Sequence, residues 1–340
     1  VIRYPAPVKF GDTIGVTAPS SGVPEFLHSL IHQAVSQLET RGFLVKIGKT
    51  TWTQEKAASA PKELRAKELK EMWENPSIQA IIPPWGGEIL QEILPLIDFT
   101  VLSPKWLLGY SDVSTLLFSV TVRAGIATAH GTNLVDLRSD EWDPTTSKFL
   151  DVLQMKVGES LIQHSSEKFQ SSWDHTREAK PYVFHLTEKT QWKTIGDVPI
   201  RVEGRLLGGC LDTVCHLCGT PYGDIATFQQ TFIKNEPILW YFEVDGFSAT
   251  DFYRTLLQLQ QAGWFQNTSG ILFGRTPAAQ DVEDFTAVDA MERLQQSLDI
   301  PIAYDGDFGH MPPQWTLVNG AFATVEVKDS KASLRMEFRP

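Results

Sequence analysis

Between Thr13 and Ala129, short apolar runs alternate with segments of helical periodicity, an order that few architectures can bury. Thr13–Ala18 (TIGVTA) reads as a buried strand, stopped by Pro19-Ser20-Ser21-Gly22. From Pro24 on, Phe26, Leu27, Leu30, Ile31, Ala34, Val35 and Leu38 recur at helical spacing until Gly42 closes the segment. Phe43–Ile47, Ile78–Ile82, Trp106–Tyr110 and Gly125–Ala129 read as further strands, with helical stretches at Pro61–Glu74, Glu88–Ile97 and Val113–Arg123 between them. Strands alternating with helices in this way predict an α/β fold with a parallel sheet covered on both faces. Ligand chemistry in such sheets collects at the carboxyl ends of the strands, which puts the loops after Ala18, Ile82 and Tyr110 on one rim.

The alternation breaks near residue 160. Gln163–Asp197 is polar and aromatic with no sustained period, and reads as a linker plus a long functional loop. A second unit begins near Ile200, with a Gly-rich turn at Gly208-Gly209, a strand at Ile238–Val244 and a helix at Thr250–Ala262. A strand at Ile271–Phe273, a helix through Leu298 and a strand at Ile302–Tyr304 follow. The tail reads as a hairpin: Trp315–Val318, an Asn319-Gly320 turn, then Ala323–Val327. The expected organisation is an N-terminal domain over residues 1–162, a linker and covering loop over 163–199, and a C-terminal domain over 200–340.

Charge narrows the partners. Lys and Arg number 30 against 41 Asp and Glu, 30 − 41 = −11, which argues against a general nucleic-acid or anionic-membrane binder because phosphate contacts need clustered cations. No run of about 18 uncharged apolar residues offers a transmembrane helix. The segment VIRYPAPVKFGD lacks the apolar centre of a secretion signal, and three cysteines are too few for a disulfide framework. A cytoplasmic protein is the expectation.

Several local groupings carry chemistry. Ser111 stands in Gly109-Tyr110-Ser111-Asp112, where a strand gives way to an amphipathic helix. A serine at such a turn lifts its hydroxyl above the sheet edge beside helix N–H groups, as in a nucleophile elbow, although the usual closing glycine of G-x-S-x-G is Val113. The alternative is a serine that caps the helix. Pro84-Trp85-Gly86-Gly87-Glu88 follows a strand on the same rim, either as a plain tight turn or as a loop presenting N–H groups to a ligand. Glu243 in ILWYFEVDGF ends an apolar strand and needs a partner, either a histidine that it orients or a salt bridge. His310 lies in an irregular loop, Asp305–Pro313, and His130 at a strand end is a reserve candidate, while His28 and His32 read as surface residues. Cys210, Cys215 and Cys218 lack a fourth partner and read as buried structural thiols rather than metal ligands. With no G-x-G-x-x-G and no Walker loop, no cofactor is expected.

Together these segments resemble one family, the LD-carboxypeptidase and microcin-immunity (MccF-type) serine peptidases. The resemblance runs in order through Thr17-Ala18-Pro19-Ser20, Pro84–Glu88, Pro104–Ser114, Glu203–Gly209, Gly219–Tyr222, Glu243, Gly270–Arg275 and Phe308-Gly309-His310. It implies a flavodoxin-like N-terminal domain, a smaller mixed α/β C-terminal domain and a homodimer. It also implies a triad of Ser111 as nucleophile, His310 as base and acid, and Glu243 orienting His310, with an oxyanion hole from Gly86, Gly87 and Asp112. Where the family commonly has Asn after its paired glycines this chain has Cys210, an expected substrate contact along with Trp85. The long Gln163–Asp197 segment is similar to that of the immunity-type branch, which implies aromatic stacking on the nucleotide end of an aminoacyl-nucleotide substrate. Trp173 is the expected stacking residue, ahead of Trp192. A murein LD-carboxypeptidase and a catalytically silent binding relative are the alternatives.

Overall fold

A computed structural model describes residues 1–173 and 177–340. The first sheet holds five parallel strands, β1 (Thr13–Val16), β2 (Leu44–Ile47), β3 (Ile78–Ile81), β4 (Trp106–Gly109) and β5 (Thr128–His130), in the order β2-β1-β3-β4-β5. All four residues of β4 are buried, as expected for a central strand covered on both faces. Helix α3 (Val113–Ala124) buries every residue but Arg123, because its apolar side chains face the first sheet and the second half of the chain at once. Its hydroxyl groups are satisfied internally: Ser119 Oγ donates to Thr115 O at 2.7 Å and Thr121 Oγ1 to Ile126 O at 2.8 Å.

In chain order the remaining strands are β6 (Ser160–His164), β7 (Lys168–Phe169), β8 (Glu188–Lys189), β9 (Lys193–Thr194), β10 (Ile200–Cys210), β11 (Ile238–Glu243), β12 (Thr268–Gly274), β13 (Ile302–Gly306), β14 (Leu317–Asn319), β15 (Phe322–Lys328) and β16 (Lys331–Glu337). Eight of them form the second sheet in the order β6-β16-β15-β10-β11-β12-β13-β9. Its centre, β10 to β13, is parallel, with the helices Ala249–Gln261 and Ala287–Leu298 as crossovers, and its flanks are antiparallel. One continuous apolar core runs through both sheets. Among the described residues no helix is long and apolar enough to cross a membrane.

Three expectations are corrected. The tail is not a hairpin across Asn319-Gly320: β14 pairs antiparallel with β5 at the edge of the first sheet, and β15 joins the second sheet between β10 and β16. The side chain of Asn319 is committed elsewhere, since Oδ1 accepts from Gly208 N at 3.0 Å and from Tyr241 Oη at 2.7 Å. Gly208-Gly209 is not a turn but the interior of β10, paired with Tyr241 and Phe242. The 163–199 segment is more ordered than a linker. Gln163 and His164 belong to β6, a β7–β8 ribbon closes the loop, Trp192 is buried, and β9 edges the second sheet. Strands two residues long are too short for alternation to register. Residues 174–176 of that expected loop lie outside the described residues.

Candidate active site

Ser111, His310 and Glu243 form one hydrogen-bonded row. Ser111 Oγ lies 3.1 Å from His310 Nε2, and His310 Nδ1 lies 2.7 Å from Glu243 Oε2. Ser111 follows β4 in the first sheet and Glu243 ends β11 in the second, so the row bridges the two sheets. The row opens into a cleft of about 550 Å³ walled by Trp85, Tyr110, Asn133, Asp136, Trp173 and Asp245 among others.

The elbow at Ser111 is built by backbone geometry. Ser111 has φ 62°, the left-handed region that costs a residue with a Cβ about 1–2 kcal/mol. This sharp reversal aims the hydroxyl at His310 rather than along α3, and no side chain caps the start of that helix. Gly86 lies against this turn: a Cβ there would stand 2.6 Å from Ser111 Cβ, 2.8 Å from its Oγ and 3.1 Å from Asp112 N. The carboxylate of Asp112 anchors the surrounding loops by accepting from Ser20 Oγ at 2.5 Å and Leu90 N at 2.8 Å.

The His310 loop is fixed from below. Arg275 and Asp307 form a buried ion pair at 2.8 Å, and Arg275 also donates to Met311 O and Pro313 O on the far side of His310. Asp307 additionally accepts from Trp192 Nε1 at 2.7 Å and from Ser166 Oγ at 2.5 Å. Gly309 has φ 100°, and a Cβ there would lie 2.6 Å from Glu243 Cβ, so the backbone passes directly over the carboxylate.

Electrostatics follow from burial and pairing. Burial works against a charged imidazole at His310, but Glu243, with Asp245 and Asp212, outweighs it and raises the pKa to about 9. Burial also works against the Glu243 carboxylate, yet His310 and His130 hold it below the ordinary range. His130, fully buried with Nε2 4.0 Å from Glu243 Oε1, is pushed down to about 4 by burial. Burial raises Asp136 to about 6 against the pull of Arg138, and it also raises Asp245, whose Oδ2 is 3.7 Å from His310 Nε2.

Cys210, Glu243 and His310 place possible ligand atoms within 4.8 Å of one another. Glu243 Oε2 and His310 Nδ1, at 2.7 Å, are committed to each other and stand closer than two ligands of one ion comfortably do. Burial, then the neighbouring Glu243, keeps the Cys210 thiol well above its usual range, which disfavours the thiolate a metal needs. The donor set therefore fits a hydrogen-bonded row better than a metal centre.

The structure brings Ser111, Glu243, His310, Gly86, Gly87, Asp112 and Trp85 to the rim where the loops were expected. Trp85 donates from Nε1 to Gly22 O at 3.1 Å and faces the cleft. Trp173 also lines it, donating from Nε1 to His310 O at 2.8 Å, with its ring edge-on to Phe184. Trp192 is 1% exposed in the core. Cys210, expected as a substrate contact, is 2% exposed and is not among the cleft-lining residues. Asp245, Asp136 and the Arg275–Asp307 pair were not singled out from the sequence. Arg275 carried a signal, as a lone cation ending the apolar run Gly270–Gly274, and the other three carried none.

Comparison with known proteins gives the same picture over most of the chain. Residues 14–131 match the LD-carboxypeptidase N-terminal domain, and residues 203–325 match the LD-carboxypeptidase C-terminal domain. The microcin C7 self-immunity protein MccF of Escherichia coli is 25% identical over 98% of this chain and 96% of its own. A probable murein peptide carboxypeptidase of Bacillus subtilis is 27% identical over 96% of this chain and 93% of its own. In structure, MccF in complex with glutamyl sulfamoyl guanosine superposes with a TM-score of 0.84 at 22% identity, covering 99% of each chain. Matched by both family domains, the first containing Ser111 and the second Glu243 and His310, the chain belongs to the LD-carboxypeptidase family.

Proposed function

We propose that the chain is a serine carboxypeptidase or amidase of the MccF type, cleaving the amide between an acidic aminoacyl or peptidyl group and a nucleotide-like moiety, and so conferring resistance to microcin C-like compounds. The observation that supports this reading is the Ser111–His310–Glu243 row, with 3.1 and 2.7 Å contacts, opening into the cleft. Ser111 Oγ attacks the amide carbonyl while neutral His310 takes its proton at Nε2. Glu243 holds the ring in the tautomer that presents Nε2 and stabilises the imidazolium that forms. Backbone N–H groups of Gly86, Gly87 and Asp112 receive the oxyanion, for which such donors are worth roughly 3–4 kcal/mol each. His310 then protonates the leaving amine, and water activated by the same ring clears the acyl-enzyme. Trp173 and Trp85 supply aromatic surface for the nucleotide end, with no cofactor taking part. A homodimer belongs to the same proposal, and sedimentation velocity tests it.

A second reading, a murein LD-carboxypeptidase releasing a terminal D-amino acid, is favoured by the cleft wall. It carries Asp136 and Asp245, with no lysine or arginine among the described lining residues. An acidic aminoacyl side chain meets like charge there, whereas an amine on a muropeptide meets opposite charge. The two readings separate by assaying aspartyl sulfamoyl adenosine against a muramoyl tetrapeptide with the same enzyme. Ser111→Ala is expected to remove nearly all turnover of whichever substrate is cleaved. Hydrolysis by that variant at the wild-type rate overturns the proposal, and intact substrate bound by the wild-type protein without product points to a silent binding relative.

A further inference from the structure

The Glu243 carboxylate has two oxygens, and the row described above uses one. Oε2 accepts from His310, whereas Oε1 has no N–H or O–H partner among the described residues although Glu243 is fully buried. The weakly donating Cys210 thiol also bears on this carboxylate. His130 is likewise fully buried, and neither of its ring nitrogens has a hydrogen-bond partner among the described residues. A buried polar group left unpaired costs about 1–3 kcal/mol, and more when charged. Here the unpaired acceptor and the unpaired Nε2 face each other at 4.0 Å, roughly 1 Å beyond hydrogen-bond length.

We propose that His130 is a positioning residue that acts through Glu243. As a neutral imidazole it donates from Nε2–H to Oε1 and extends the row to Ser111–His310–Glu243–His130. The proposal rests on the serine-hydrolase reading for its catalytic consequence. A side-chain rotation of about 1 Å closes the contact. His130 ends β5, where its neighbours in register are Gly109 on β4 and Leu317 on β14, and the rings of Tyr110 and Tyr241 stand edge-on at 6.4 and 5.4 Å. The imidazole is thus held by the sheet that carries Ser111, while Glu243 comes from the other sheet. The contact fixes the carboxylate relative to the nucleophile. Neutrality matters as well: a cationic His130 would compete with His310 for the same negative charge, whereas a neutral donor satisfies Oε1 and leaves the charge intact.

Two measurements test this. In the wild-type protein, ¹⁵N–¹H spectra of labelled histidine are expected to show His130 as the Nε2–H tautomer, and the Nδ1–H tautomer overturns the proposal whatever the substrate is. The second compares His130→Phe, which keeps a ring without a donor, with His130→Gln, which restores one. The readout is the rate of Ser111 labelling by a fluorophosphonate probe, together with the low-field proton of the His310–Glu243 bond. His130→Phe is expected to slow labelling about ten- to a hundredfold and to move that resonance, with His130→Gln recovering most of the rate. Wild-type labelling and an unmoved resonance in folded His130→Phe overturn it, as does a His130→Gln variant no faster than His130→Phe. If the probe fails to label even the wild-type protein, the serine-hydrolase reading fails, while the tautomer result stands on its own.

Discussion

Replacing Glu243 with glutamine keeps the shape of the row and removes its charge, so it separates two things that the carboxylate does. The charge is what outweighs burial at His310 and raises its pKa to about 9 from an ordinary 6.5. The difference, about 2.5 pH units, corresponds to roughly 3.4 kcal/mol at 1.36 kcal/mol per unit. In the wild type, kcat/KM is therefore expected to climb about tenfold per pH unit up to about pH 9, because only neutral His310 accepts the serine proton. In Glu243→Gln the burial that the charge outweighed still acts, opposed only by half-exposed Asp245 and nearby Asp212, so the limb is expected to fall to about 6.5 or below. Removing a triad carboxylate lowers the plateau by about 10⁴. At pH 6.5, however, about 0.3% of wild-type His310 is neutral against half or more in the variant, so the deficit there shrinks to roughly sixtyfold or less. The assay is kcat/KM from pH 6 to 10 for both proteins, with whichever of the two substrates above is cleaved. A variant whose log kcat/KM still rises with unit slope to pH 9 refutes the reasoning, because something other than Glu243 then holds the proton on His310. Stability carries the same signature. The raised pKa contributes up to roughly 3.4 kcal/mol that is fully present below about pH 6.5 and is lost as pH rises through about 9, and Glu243→Gln should flatten that loss. His130, with its pKa pushed down to about 4, acts on the other side, losing stability as pH falls from about 6.5 towards 4.

Two further outcomes concern the scaffold around the row. Gly86→Ala places a Cβ 2.6 Å from Ser111 Cβ, and is expected to cut fluorophosphonate labelling of Ser111 by about a hundredfold or more while circular dichroism stays native. Unimpaired labelling would show that the loop yields more easily than its packing implies. Asp307→Asn leaves Arg275 as a buried cation without its partner and is expected to cost about 3–5 kcal/mol in urea unfolding. A loss under 1 kcal/mol would mean that the carbonyls of Met311 and Pro313 suffice to hold the guanidinium.

Much of the first sheet was legible because its central strands are short, largely apolar runs: Thr13–Val16, Ile78–Ile81 and Trp106–Gly109 lie inside the segments read from the sequence. Ser111, Glu243 and His310 stood out as polar residues beside an apolar strand or a glycine turn, each with a plainer alternative, and only the resemblance to the family joined them into one row. What escaped is what depends on distant chain. Asn319-Gly320 carries the local marks of a hairpin turn, but the partners of Asn319 are Gly208 and Tyr241, more than 70 residues away. Nothing adjacent to Asp307 announces Arg275, and nothing near Ala129 announces that His130 will face a carboxylate from another sheet. Cys210 was placed at the substrate by its position after two glycines. The pairing of β10 with β11 sets it beside Glu243 instead, where the thiol is hidden from the cleft.

The return of β14 to the first sheet also has a meaning in time. A ribosome releases the chain from its N-terminus, so β1 to β5 emerge first with the outer edge of β5 unpaired, an open ladder of the kind that recruits stray strands. That edge closes only when Leu317–Asn319 arrives, a few residues after His310. The nascent chain thus keeps that edge open until Leu317–Asn319 is made, and the first sheet and the Ser111–His310–Glu243 row are completed almost together. On the proposed reading, a chain cut short between β5 and His310 has a serine at its elbow, no base to activate it, and an open strand edge that quality control can recognise.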